Sequence, residues 1–90
     1  MKEQTQKIQY EITDDYYFTI INDIELNIRA YNKTCISIWI YNHKTDEEII
    51  DEEYSSLKEI QEVLKTKLQL DIELPSIEEL LKLQELKGGI

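Results

Sequence analysis

The sequence predicts an α+β fold: an antiparallel β-meander of four to five strands followed by two C-terminal helices packed on one face. Two observations carry this. Apolar and polar residues alternate with period two from about residue 6 to residue 53, the pattern of strands with one buried face. Near Ser55 the apolar spacing then switches to that of helices. No Gly or Pro occurs before Pro75, so no flexible linker divides the chain, and the 90 residues read as a single domain, 1–90, with one thin core.

In chain order, Ile8, Tyr10 and Ile12 alternate with Lys7, Gln9 and Glu11 as a first strand. After the turn Asp14-Asp15, Tyr16–Ile21 is rich in aromatic and β-branched residues. Asn22-Asp23 is the next turn signal. Ile24, Leu26, Ile28 and Ala30 then alternate with Glu25, Asn27, Arg29 and Tyr31. Past Asn32-Lys33-Thr34, Ile36, Ile38 and Ile40 alternate with Cys35, Ser37, Trp39 and Tyr41. Placing the isoleucines inward puts Tyr17, Tyr31, Trp39 and Tyr41 on the opposite face, where they serve either as interface anchors or as cross-strand pairs that stiffen an exposed sheet.

The segment Asp46–Glu53 reads D-E-E-I-I-D-E-E. As a helix it would start from a capping box of Thr45 and Glu48. As a fifth strand it would place Glu48, Ile50, Glu52 and Tyr54 on one face and Glu47, Ile49, Asp51 and Glu53 on the other. The edge strand is the favoured reading, because Ser55-Ser56 offers a fresh helix start and a charged edge resists sheet-to-sheet association. Helices are expected over about 56–69 and 76–87. Ser56…Glu59 and Ser76…Glu79 are capping boxes, Pro75 separates the two, and Gly88-Gly89 ends the second.

Charge is the most unusual property. The chain carries a formal −9, and residues 35–54 hold six acids against one base. Catalytic inventory is thin: a single His43 beside Lys44 in a turn, and a single Cys35 in an acidic chain that does not favour a thiolate. The acidic run has no Gly for a calcium-loop turn, and no phosphate-cradling glycine loop is present. The expectation is a non-enzymatic protein without cofactor or metal. One cysteine, a polar Met1–Lys7 and no apolar run near 20 residues fit a cytoplasmic protein that does not span a membrane.

The sign of the charge disfavours direct binding to nucleic acid and favours a basic protein partner. Same-face carboxylates on a strand repeat about every 6.6 Å, comparable to successive phosphates. In size, acidity and layout, with D-E-E-I-I-D-E-E as local support, the chain resembles small acidic phage-encoded inhibitors of bacterial defence, of the anti-CRISPR, DNA-mimic type. That resemblance implies a non-catalytic inhibitor of a nuclease or other nucleic-acid-binding enzyme, acting in the cytoplasm of the host cell. The residues expected to meet the partner are Asp46, Glu47, Glu48, Asp51, Glu52 and Glu53, with Trp39 and Tyr41. The alternative is a self-associating module, a homodimer built on the Trp39 face or on Leu70, Ile72, Leu83, Leu86 and Ile90, with acidity serving only solubility.

Overall fold

The computed structural model describes residues 7–13 and 16–88, with side chains through Glu85. Five strands, β1 (Glu11–Thr13), β2 (Tyr16–Ile21), β3 (Ile24–Asn32), β4 (Cys35–Asn42) and β5 (Glu47–Tyr54), form one sheet in sequence order, every pair antiparallel. Helix α1 (Leu57–Val63) runs into a π-helical turn, Leu64–Leu68, and α2 is Ile77–Gly88. The α+β meander with two C-terminal helices is therefore the fold, and the acidic segment is its fifth, edge strand. The Asp14-Asp15 turn, Gly89 and the side chains of Leu86, Lys87 and Ile90 fall outside the described residues.

Alternation decides the layers. Leu26, Ile28 and Ala30 stand opposite Ile40, Ile38 and Ile36, and all six are buried. Ile50 joins them from β5, and Ile60, Leu64, Ile72 and Leu80 close the core from the helical half. α2 lies over β3 and β2, and α1 lies beside β5. Each buried isoleucine contributes about 1.5–3 kcal/mol of transfer free energy. Polar groups on this side are paired: Thr19 donates to the Gln9 carbonyl at 3.2 Å.

The first strand is shorter than its pattern. Residues 7–10 run beside the sheet without strand pairing, and only Glu11–Thr13 joins β2. Ile8 and Tyr10 still pack on the core, whereas Ile12 is 59% exposed. Tyr10 explains the arrangement, since it meets Tyr17 edge-on and donates to the Glu73 carbonyl at 2.9 Å. Burial, reinforced by Glu73, pushes its hydroxyl pKa well up. Tyr17 therefore faces the helices, opposite Ile28, and not the outer face where the alternation placed it. Tyr16 and Phe18 take the outer positions.

Helix starts follow the sequence closely. Ser76 and Glu79 make a reciprocal capping box, with hydrogen bonds of 3.1 and 2.9 Å. At α1, Glu59 donates its amide to Ser56 Oγ, but its carboxylate reaches back to the amide and hydroxyl of Ser55, at 3.0 and 2.9 Å. Those bonds hold the Glu59 pKa below the usual carboxylate range, so this lock is complete at neutral pH and is lost only in acid. The end of α1 has no glycine. Gln69 adopts φ 56°, and Leu70 donates back to the Leu64 carbonyl at 3.0 Å across the widened final turn.

Both central residues of the β2–β3 turn, Asn22 and Asp23, have positive φ (50° and 70°). Two such residues between paired strands make the hairpin turn that matches strand twist, and its preferred sequence is Asn-Gly. Asp23→Gly should therefore raise stability by about 0.5–1 kcal/mol, read as a shifted urea midpoint with unchanged slope. Ile38→Ala should cost roughly 2–5 kcal/mol in the same assay, while Glu52→Gln at the exposed edge stays within about 0.5 kcal/mol of the parent.

Candidate functional site: the uncovered face of the sheet

The helices cover one face of the sheet and leave the other without a covering element among the described residues. Strand register fixes what that outer face displays. One row runs Glu11, Phe18, Asn27, Trp39, Asp51, and the next runs Ile20, Glu25, Tyr41, Glu48. Arg29, Ser37 and Glu53 form a third row. The strand positions of this face carry the carboxylates Glu11, Glu25, Glu48, Asp51 and Glu53, with Arg29 as their only lysine or arginine among the described residues. Among the described residues, Lys33 and Lys44 sit in turns, Lys58, Lys65, Lys67 and Lys82 on the helical segments, and Lys7 before β1, outside the paired strand positions.

Strict alternation in β5 would have put Glu48 with Ile50 and Glu52. The structure overturns this with a β-bulge. Ile40 pairs with Ile50, yet Tyr41 pairs with Glu48, so Ile49 is the extra residue. The reason lies in the doublet Ile49-Ile50. A regular strand would expose one isoleucine, whereas the bulge lets Ile50 bury and Ile49 pack half-buried against the same core. Its consequence is to turn Glu48 onto the outer face with Asp51 and Glu53. Glu47, opposite Asn42, is turned by the same bulge to the helix side, where Glu52, opposite Ile38, already lies. The acidic run is thereby divided, and the outer carboxylates are not evenly spaced at two residues.

The outer acids are tied to the aromatics. Trp39 Nε1 donates to Glu48 Oε2 at 2.5 Å, and the Tyr41 hydroxyl donates to Asp46, which sits in the β4–β5 turn at φ 60°. The rings of Trp39 and Tyr41 stack, with centroids 5.6 Å apart and planes 18° apart. Tyr41 also meets His43 edge-on at 5.0 Å. Arg29 donates to the Tyr31 hydroxyl at 2.6 Å and lies over its ring, 4.8 Å from the centroid. Asp46, Glu48, Trp39 and Tyr41 are thus brought together, Asp51 and Glu53 border them, and Glu47 and Glu52 are not part of the group.

Sequence reasoning missed Glu25 and its partners. Its two carboxylate oxygens are held separately, one 2.6 Å from His43 Nε2 and the other accepting from Asn27 Nδ2 at 3.1 Å. His43 is anchored in turn by its amide, which donates to the Asp23 carbonyl at 2.8 Å and ties the two hairpin turns together. A turn histidine carries no signal of this. Only the pairing of Glu25 with Tyr41 places residues 25 and 43 side by side.

Among the described residues, no group of three or more His, Cys, Asp or Glu side chains could hold a metal ion, and no helix is long and apolar enough to cross a membrane. Cys35 is half-buried and donates to Glu53 Oε1 at 3.6 Å; desolvation first, and the Glu53 charge second, push its thiol pKa up. Iodoacetamide should therefore modify Cys35 of the folded protein more slowly than an unfolded control at pH 8. Glu53→Gln should accelerate the reaction by removing the neighbouring charge.

No family model, curated protein or solved structure matches the chain, so a functional reading rests on the chemistry of this face.

Proposed function

We propose that this chain is a small, non-enzymatic binding protein that docks its outer sheet face on a basic protein surface. The partner class is a nucleic-acid-handling enzyme, with a CRISPR nuclease as the case drawn from the resemblance to anti-CRISPR inhibitors. One observation supports this above the others: carboxylates and ordered aromatics share a face that, among the described residues, no helix covers and whose paired strand positions carry no lysine. Aromatics supply buried contact area and the acids supply long-range attraction to the same lysines and arginines that would otherwise meet phosphates. The bulge strengthens the reading, because it moves Glu48 from the helix side to the docking side.

Self-association is the second reading, favoured by Ile20, which is 52% exposed on the same face in the strand that carries Phe18. A dimer built there would rest on apolar contact, with little dependence on salt.

Position along β5 provides the test. Glu48→Lys with Asp51→Lys reverses two outer acids, and Glu47→Lys with Glu52→Lys reverses two acids on the other register of the same strand. Both pairs change net charge equally. Titrated against a guide-loaded CRISPR nuclease and its target duplex, the parent should block DNA binding in a salt-sensitive way. The outer pair should slow association about tenfold more than the other pair at low salt, since steering depends on where charge faces the partner. Equal effects from both pairs, or binding indifferent to ionic strength where charges are screened beyond about 8 Å, would refute the docking face. A dimer in sedimentation that survives both pairs would favour self-association.

A further inference from the structure

The centre of the outer face is not flat. Asn27 and Ser37 are short side chains in the middle of the sheet, ringed by the longer Tyr16, Trp39, Glu25 and Arg29. The difference in length leaves an open hollow of about 310 Å³ between the Tyr16 and Trp39 side chains. Part of its floor is held by hydrogen bonds. Asn27 is 8% exposed and hydrogen-bonded to Glu25, which is itself held by His43.

We infer that this hollow is a socket for an arginine side chain of the basic partner. The inference rests on the outer face being the docking surface and specifies how that surface discriminates. A guanidinium is planar, stacks on aromatic faces and donates forked hydrogen bonds to carboxylates, whereas an ammonium is a compact, strongly hydrated point charge. The hollow offers an aromatic face and a carboxylate. Trp39 is oriented by its bond to Glu48 and by stacking on Tyr41. Glu25 forms one wall as a fixed carboxylate, and Asp51 stands directly opposite Trp39 across the strand pair. Arg29 also lines the hollow, and its guanidinium is engaged by Tyr31 through a hydrogen bond and a ring contact. The protein thereby already uses, within one face, the arginine–tyrosine contact that the socket would offer to an incoming residue.

Trp39 is the single tryptophan of the chain, so emission excited selectively from tryptophan reports on the indole that lines this hollow. Hexaarginine and hexalysine, equal in charge, serve as probes in fluorescence titrations of the intact protein at 0.15 M salt. Hexaarginine should change Trp39 emission and bind at least about fivefold more tightly than hexalysine, the size of one cation–π contact at a partly desolvated site. Ser37→Tyr fills the hollow from its floor and leaves every charge and Trp39 in place. In that variant, checked for native circular dichroism, the two peptides should bind alike through the remaining general attraction. Equal affinities for the two peptides in the parent would overturn the socket, as would an arginine preference that survives Ser37→Tyr. Either result is separable from the docking reading, which nuclease competition tests without regard to arginine preference.

Discussion

The outer face of this sheet is arranged by what happens on the inner one. Leu26, Ile28 and Ala30 on β3 sit opposite Ile40, Ile38 and Ile36 on β4, and their burial under the helices locks the register of the two central strands. A slip of one residue would turn every one of these side chains to solvent and bring Asn27, Arg29, Ser37 and Trp39 inside. The cost of that exchange, several large apolar groups exposed and polar groups buried, holds the outer residues in place. Asn27 beside Trp39 and Glu25 beside Tyr41 are consequences of a packing constraint on the far side of the strands.

The bulge in β5 follows from the same constraint. Two adjacent isoleucines cannot both face a core from a regular strand. One extra residue lets Ile49 and Ile50 contact it together, and the energy of burying them outweighs the disrupted ladder. Everything before the bulge then inverts. Glu48 leaves the helix side and reaches Trp39, which fixes the indole. Apolar burial at one point of the edge strand thus sets the charge pattern on its opposite face.

Tyrosines and capping groups link the remaining pieces. Tyr10 joins the chain before β1 to the segment before α2 through Glu73, and meets Tyr17 from the sheet. Gln61 Nε2 donates to the Ile72 carbonyl at 3.3 Å, which anchors the connection between the two helices beneath the sheet. The Tyr10 bond brings together residues 63 positions apart in the chain, and the Tyr10–Tyr17 contact accounts for Tyr17 being on the inner face although its neighbours Tyr16 and Phe18 are not.

The sequence by itself determined the order and kind of the elements. Alternation through Ile24–Ala30 and Ile36–Ile40, the Asn22-Asp23 turn and the two Ser…Glu caps are local signals, because each depends on residues within a few positions of one another. It also determined that Trp39, Tyr41 and Arg29 share a face opposite the isoleucines. Tertiary structure decided which acids join them. Whether Glu48 lies with Trp39 or with Ile50 depends on a bulge, and that bulge depends on a core assembled by other strands and by helices that follow it. The Glu25–His43 pair, the orientation of Tyr17 and the hollow over Asn27 and Ser37 were equally invisible, since each depends on strand register between segments that periodicity reads one at a time.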